Sequence, residues 1–242
     1  PQELTDLIAW MHMGLSSVFF ATGVGPDSKQ TTSNIFIIGE AGLSLGDRDY
    51  YLEKSEANDK VMKAFEVYVK RLMELIGYDE AAQQRVWQTV IKIETEIARN
   101  VMPREMRRDP MATYNIRTLS EIKSAWSAID WDAYLKAIGV GSIEKADVSS
   151  PKYFDWLTSF LPSLTWQEIQ DLMVYEATAE STGVLSDDFS EAAFELYGRV
   201  MSGTTEQTPR WKRAMSLPNS MLGEAVGELY VKKHFPPANK ER

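Results

Sequence analysis

The chain has 242 residues, 44% of them hydrophobic and 11% aromatic, which is the make-up of a folded globular protein and not of a disordered or fibrous one. Its 35 acidic residues against 26 basic ones give a formal charge of −9, which argues against a nucleic-acid partner, because neutralising phosphates needs clustered Lys and Arg. No run reaches the roughly 20 consecutive apolar residues that span a bilayer, no signal-peptide pattern opens the chain, and zero cysteines exclude disulfides and thiolate metal sites.

A start at Pro1 instead of Met reads as a processed or excised piece of something longer. The first element is a helix around Leu4 to Met13. Two β-branched and aromatic runs follow, SSVFFATGV and NIFIIG, separated by GPDSKQTT, and this pattern predicts a two-stranded hairpin. Next comes GLSLGDRDYYL, Gly42 to Leu52, which packs Asp47, Arg48, Asp49, Tyr50 and Tyr51 between a turn and a long helical pattern. Short polar side chains there can cap backbone groups and exchange charge-assisted hydrogen bonds, so the segment is read as a structural corner, with Tyr50 and Tyr51 alternating between packed and wet sides.

From about residue 58 helical periodicity takes over. Val61, Phe65, Tyr68, Leu72 and Leu75 recur at three- and four-residue steps, and Gly77 is placed as a C-terminal stop. Val86, Val90, Ile93, Ile97 and Val101 form a second apolar stripe, ended by Pro103, so two long helices make an antiparallel pair. Asp109, Pro110, Tyr114 and Asn115 read as a Pro-led turn held by polar side chains. Thr118 with Glu121 and Thr165 with Glu168 have capping-box spacing. Further helices are placed near 130–138, 152–161, 166–183, 188–202, 209–216 and 220–234, where Gly223 and Gly227 are read as permitting close packing on another helix. The pattern predicts a mainly α, multi-helix, bundle-like fold with a small N-terminal β-hairpin, as a single domain over residues 1–242.

Chemistry-bearing residues are sparse. His12 and His234 are the only imidazoles, and neither has His-Glu-x-x-His or Glu-x-x-His spacing, so no metal ligands are assigned. His234, beside Phe235, Pro236 and Pro237, reads as a terminal cation or a packed ring. There is no cysteine nucleophile, no Gly-x-Ser-x-Gly elbow and no P-loop; ATGVG lacks the lysine and the spacing. Glu176 and Glu180, one turn apart, have the spacing of an acid–base pair but are read as the wet margin of an amphipathic helix. Of the seven tryptophans, most are read as core, although together they would also suit a sugar- or peptide-binding groove. No catalytic, cofactor-binding or metal-binding residue is assigned.

Three segments carry a resemblance. GLSLGDRDYYL, RDPMATYNIRTLSEI (Arg108 to Ile122) and EAVGELYVKKHF (Glu224 to Phe235), in that order and with helical spacers between them, resemble the neprilysin and endothelin-converting-enzyme family of zinc metallopeptidases. LIAWMHMGLSSVFF near the start and LYGRVMSGTTEQTPRWKRAM from Leu196 to Met215 extend the likeness over essentially the whole chain. The lack of cysteines makes it more similar to the bacterial PepO branch than to disulfide-rich animal ectodomains.

The resemblance implies the N-terminal helical lobe of such an enzyme. The family's His-Glu-x-x-His helix, its downstream Glu ligand in a Glu-Asn-x-x-Asp segment and its Asn-Ala motif would all lie C-terminal to the equivalent of Arg242. Zinc is therefore expected in that catalytic lobe, where it would polarise the scissile carbonyl and activate water, and none is expected in this chain. The implied partners are the catalytic lobe of the same polypeptide and oligopeptide substrates, the implied role is substrate restriction, and the implied compartment is periplasmic or extracellular. The alternative is an exported helical sugar- or peptide-binding module with no peptidase activity.

Overall fold

The computed structural model describes residues 2–14 and 16–235. The chain divides into two compact units, Pro1–Met201 and Ser202–Arg242. The first begins with α1 (Gln2–His12) and an antiparallel hairpin of β1 (Phe20–Asp27) and β2 (Gln30–Glu40). The connection is shorter than GPDSKQTT suggests: pairing runs on through Pro26↔Asn34 and Asp27↔Gln30, leaving Ser28 and Lys29 at the tip. Asp27 holds that tip, accepting from Lys29 N at 2.9 Å and Gln30 N at 3.2 Å.

The corner contains α2 (Asp49–Leu52), and the long pair follows as α3 (Glu56–Leu75) and α4 (Glu80–Asn100). Both are delimited by local chemistry. Ser55 accepts from Asn58 N at 3.1 Å and Asp79 from Ala82 N at 2.8 Å, satisfying donors that a helix start leaves orphaned. Gly77, at φ +92, lets Tyr78 N reach Met73 O at 3.0 Å and Gly77 N reach Glu74 O at 2.9 Å, the paired closure of a Schellman end.

Then come α5 (Pro110–Thr113), β3 (Ile116–Thr118), α6 (Leu119–Ala125), α7 (Trp131–Ala137), β4 (Lys145–Val148), α8 (Pro151–Phe160) and α9 (Trp166–Ser181). Both anticipated capping boxes form, with Glu121 accepting from Thr118 N at 2.7 Å and Glu168 from Thr165 N at 2.8 Å. The fold is mainly α, as the periodicity predicts. The hairpin is part of something larger, however, because β4 pairs parallel with β2, β3 pairs antiparallel with β4, and the strand order is β1-β2-β4-β3. Lys145–Val148 and Ile116–Thr118 are too short to show a period of two, so only tertiary pairing reveals them.

The expected helix over 188–202 is two conformations. α10 (Asp187–Ala193) runs directly into a π-helix, Phe194–Met201. Gly198 matters there: a Cβ at that position would strike the Phe194 ring.

The core has two parts. Around α3, α4 and α9 it consists of Phe65, Val69, Leu72, Val90, Ile93, Leu172 and Tyr175, all at most 2% exposed. Beneath the hairpin lies an aromatic cluster of Phe20, Trp131, Tyr134 and Phe154, with centroids 5.2–6.3 Å apart in tilted and edge-on geometries. Arg85 clamps α4 to α9 through both carboxylate oxygens of buried Asp171, at 2.9 and 3.2 Å, and Lys92–Glu168 bridges the same helices at the surface.

The second unit holds α11 (Arg210–Met221), with Pro218 inside it, and α12 (Gly223–His234). Neither helix has a buried residue. Among the described residues nothing packs closely on Gly223 or Gly227, where a Cβ would meet nothing within 4 Å.

Candidate functional site

The 42–52 corner is built to hold a buried acid. Gly46 at φ +77 turns the chain so that its N–H reaches Leu43 O at 2.8 Å, which aims Ser44 inward and buries Leu45. Ser44 Oγ donates to Glu94 Oε1 at 2.5 Å and sits 2.8 Å from the Tyr175 hydroxyl. Tyr51 donates to Glu94 Oε2 and accepts from Leu45 N at 3.2 Å. Arg48 departs from the expected exchange with its neighbouring acids. Its guanidinium reaches out to Val101 O at 2.7 Å, where α4 ends, while Asp47 accepts from Asp49 N at 3.2 Å. The corner is thus fastened to the C-terminal part of α4 at two points, Glu94 and Val101 O. Tyr50 and Tyr51 are both partly covered and pack on the core, and Tyr51 is the one hydrogen-bonded to Glu94.

Glu94 opens onto a cavity of about 710 Å³. Its wall also includes Ser16, Tyr68, Glu176, Glu180, Thr182 and Tyr197, and, among the described residues, no lysine, arginine or histidine. Ser16 Oγ donates to Glu176 Oε2 at 2.6 Å. Burial, followed by the neighbouring Glu176 carboxylate, pushes Glu94 up to about 8, against the pull of the Ser44 and Tyr51 hydrogen bonds. Burial raises Glu176 and Glu180 as well. Tyr51 and Tyr175 are raised far above the phenol range, first by burial and then by Glu94. Of the pair read as a wet margin, Glu180 is exposed as expected, whereas Glu176 is half-buried and hydrogen-bonded by Ser16, with the 16–19 and 41–44 segments beside it.

Sequence reasoning missed Glu94 altogether. A signal was present, because 90, 93, 94, 97 and 101 share one helical face, and a Glu inside an apolar stripe is a buried acid in waiting. A second groove, about 540 Å³, runs along α3, α10 and the π-helix with Val67, Leu196 and Val200 in its wall and Arg71, Asp188, Glu191 and Glu195 among its polar groups.

The two histidines lie on separate elements with separate tasks. His12 Nε2 faces Val18 O at 2.9 Å and Nδ1 faces the Tyr134 hydroxyl at 2.7 Å. A carbonyl can only accept, so Nε2 carries the proton and Nδ1 accepts from Tyr134. Burial lowers the His12 pKa below its usual value. His234 ends α12 with its ring 4.9 Å from that of Tyr230; Pro236 and Pro237 lie outside the described residues. No group of three or more His, Asp or Glu among the described residues is placed to hold a metal ion, so these side chains do not fit a zinc site.

Trp87, Trp126 and Trp131 are core and Trp156 is partly covered, whereas Trp10, Trp166 and Trp211 are exposed on α1, α9 and α11. Asp109 caps α5 by accepting from Met111 N at 2.8 Å, Tyr114 donates to Asp27 at 3.0 Å, and Asn115 Nδ2 donates to Ala112 O at 3.0 Å, a tied turn as anticipated.

The described residues form a helical lobe with a four-stranded sheet and an acidic cavity, and their buried side-chain polar atoms all have hydrogen-bond partners. The sequence model described as Peptidase family M13, in its N-terminal part, matches residues 1–242, and the chain belongs to that family. Human endothelin-converting enzyme 1 is 31% identical over 231 residues, covering 93% of this chain and 30% of the human protein. The endothelin-converting enzyme homolog of Locusta migratoria is 26% identical over 227 residues, covering 89% and 31%. The chain thus spans about a third of the length of the curated relatives it matches. Among solved structures, the zinc metalloprotease Zmp1 of Mycobacterium tuberculosis in its open state superposes with a TM-score of 0.90 at 26% identity, over 100% of this chain and 38% of that one. PepO from Lactobacillus rhamnosis shares the fold, with a TM-score of 0.78 at 16% identity over 98% of this chain and 37% of that one.

Proposed function

We propose that this chain is the substrate-restricting helical lobe of a neprilysin-like zinc metalloendopeptidase that cleaves oligopeptides, and that it carries no catalytic or metal-binding residue itself. The carrying observation is the match of the whole chain to the N-terminal part of the family, at 30% of the length of a relative that is an endothelin-converting enzyme. Zinc, its ligands and the general base then belong to the catalytic lobe of the same polypeptide, in a periplasmic or extracellular setting. What this lobe supplies is shape: a wall that admits flexible peptides to a chamber and keeps folded proteins out.

Two features support that division of labour. His12 spends both ring nitrogens on Tyr134 and Val18, so the imidazole nearest the core has no lone pair left for a metal. The α11–α12 unit leaves Trp211, Met221, Leu222, Leu229 and Tyr230 at least 60% exposed, more bare apolar surface than two helices carry without a purpose. Further polypeptide of the same protein is the covering we assign to it.

Incubating the 242-residue chain with zinc and a panel of oligopeptides is expected to give no turnover, whereas the full-length protein should cleave them in a chelator-sensitive way. Chelator-sensitive cleavage by the chain alone would overturn the assignment. The sugar- or peptide-binding module is not favoured, because the family match spans the entire chain. A saturable tryptophan-fluorescence shift with oligosaccharides, in a protein devoid of peptidase activity, would revive it.

A further inference from the structure

β1 stands at the edge of the sheet: β2 pairs with one side of it, and among the described residues no strand pairs with the other. The register shows which backbone groups that open side presents. Ser149 N donates to Ile38 O at 2.9 Å, so Ile38 turns its peptide groups to β4 and away from β1. Its partner across the hairpin is Thr22, and in an antiparallel pair that exchanges no hydrogen bonds both residues face outward. Thr22 and, two residues on, Val24 therefore aim N–H and C=O at the open side. Pro26 falls at the same period and has no N–H to offer, which is where an edge strand tolerates proline.

Both ends of this open stretch are closed. Phe19 has φ +64, and Phe20 N donates to Val18 O at 2.8 Å, so the preceding edge amide is spent in a tight, strained turn that the Tyr153 hydroxyl holds by donating to Phe19 O at 2.7 Å. The register shift at Pro26/Asp27 closes the other end. Between them, Ala21 to Gly25 carry none of the charges, bulges or prolines that ordinarily guard an edge. Gly23 and Val24 are exposed, and a Cβ on Gly23 would meet nothing within 4 Å, so a second backbone can approach closely. The faces of the strand differ in charge. Thr22 Oγ1 lies 2.8 Å from the Tyr134 hydroxyl on the aromatic side, so Ala21 and Gly23 face the other way, and Ala21 is in the wall of the cavity with Glu176 and Glu180. Glu180 is exposed and forms no ion pair among the described residues.

We propose that the open edge of β1 binds an extended oligopeptide by strand addition, pairing with the backbone of Thr22 and Val24 and turning a basic side chain to the carboxylates of the cavity. Alternating free N–H and C=O groups match another extended chain and little else. A peptide residue opposite Gly23 stands on the Ala21 face, where the acids and the chain's formal charge of −9 favour Lys or Arg. That such a peptide is a substrate rests on the peptidase reading; the edge itself rests on the strand register.

Amide hydrogen exchange of the full-length protein tests it, with a chelator present to silence turnover and the acetylated, amidated hexapeptide Thr-Val-Lys-Val-Thr-Val as probe. At about ten times the measured Kd, exchange at Thr22 and Val24 should slow by about tenfold, because only about a tenth of the molecules then have a free edge, while Ala21 and Gly23, already paired to β2, should not change. The same peptide N-methylated at every residue should not bind, and Glu in place of its Lys should weaken binding by about tenfold at low salt. Val24→Pro, which removes an edge-facing N–H and takes nothing from the pairing with β2, should weaken binding by about tenfold as well. Thr22 and Val24 amides already protected before peptide is added, which would mean that further polypeptide of the same protein covers the edge, would overturn the proposal. So would undiminished binding of the N-methylated peptide, of the Glu peptide, or of the probe to Val24→Pro. Should Val24→Pro not fold, the exchange pattern and the two altered peptides decide. Cleavage of oligopeptides by the zinc-loaded protein with these amides unchanged would sink the edge and leave the peptidase reading standing, and slowed amides in a protein without peptidase activity would do the reverse.

Discussion

Beneath the hairpin and behind the corner, the same unit buries titratable groups in opposite ways. The aromatic cluster buries a base: His12 stays neutral between a tyrosine hydroxyl and a carbonyl, its ring edge-on to Phe20 at 4.8 Å, with no acid among its hydrogen-bond partners. The cavity buries acids, Glu94 and Glu176, among hydroxyls and other acids. Both are hydrogen-bonded, and neither has a counter-ion. The difference lies in which form the interior tolerates, so acid attacks one region and alkali the other.

Truncation separates the regions most sharply. Trp131→Ala should cost about 3–5 kcal/mol in urea unfolding, because it empties a fully packed site and removes the donor to Trp126 O, whereas Leu172→Ala, beside space that already exists, should fall near the low end of the about 2–5 kcal/mol seen for buried leucines. A similar cost at both sites would mean that the cavity is as tightly packed as the aromatic cluster. Next in size, Glu94→Ala strands Ser44 and Tyr51 without their acceptor and should cost about 1–3 kcal/mol at neutral pH, with Glu94→Gln costing less.

The pH profile supplies the third test, and the two signs oppose each other. Glu94 is raised in the fold, so its contribution is full below the ordinary carboxyl value of 4.5, declines as pH rises and is gone above about 8. His12 is lowered in the fold, so its contribution is full above 6.5 and is lost as pH falls through its folded value. Each slope is at most about 1.4 kcal/mol per pH unit for one proton. Glu94→Gln should flatten the alkaline limb alone and His12→Gln the acid limb alone; a variant that moves both limbs would show the regions to be coupled. Smallest of all, Thr165→Ala should cost about 1 kcal/mol by uncapping α9, and Lys70→Ala, in a half-exposed i,i+4 pair with Glu66, under about 0.5 kcal/mol. Thermal unfolding of both variants, read against the same baseline, checks that order.

Much of this architecture could be read from residue order. The stripe Val61–Phe65–Tyr68–Leu72 places α3, Gly77 ends it, and Thr118 and Thr165 open their helices as their spacing to Glu121 and Glu168 requires. Each of these is a contact over three or four residues, which the chain satisfies without reference to anything distant. The family resemblance was legible for a similar reason, since it rests on ordered segments and not on a site.

Burial of acids was not legible. Glu176 next to Glu180 has the spacing of a solvated margin, and only Ser16, 160 residues away in sequence, turns it into an interior group. Glu94 lies 50 residues from Ser44 and 43 from Tyr51. Trp166 shows the converse, a large aromatic in a first turn that remains 46% exposed because no element covers it. The sequence by itself determined where helices begin, which faces are apolar and that no thiol or zinc-helix chemistry is encoded. The tertiary structure alone decided that β3 and β4 complete a sheet, that α10 widens into a π-helix, and that Glu94 and Glu176 line one cavity. Helix formation is settled by neighbours along the chain, whereas solvation and charge are settled by whatever folds on top.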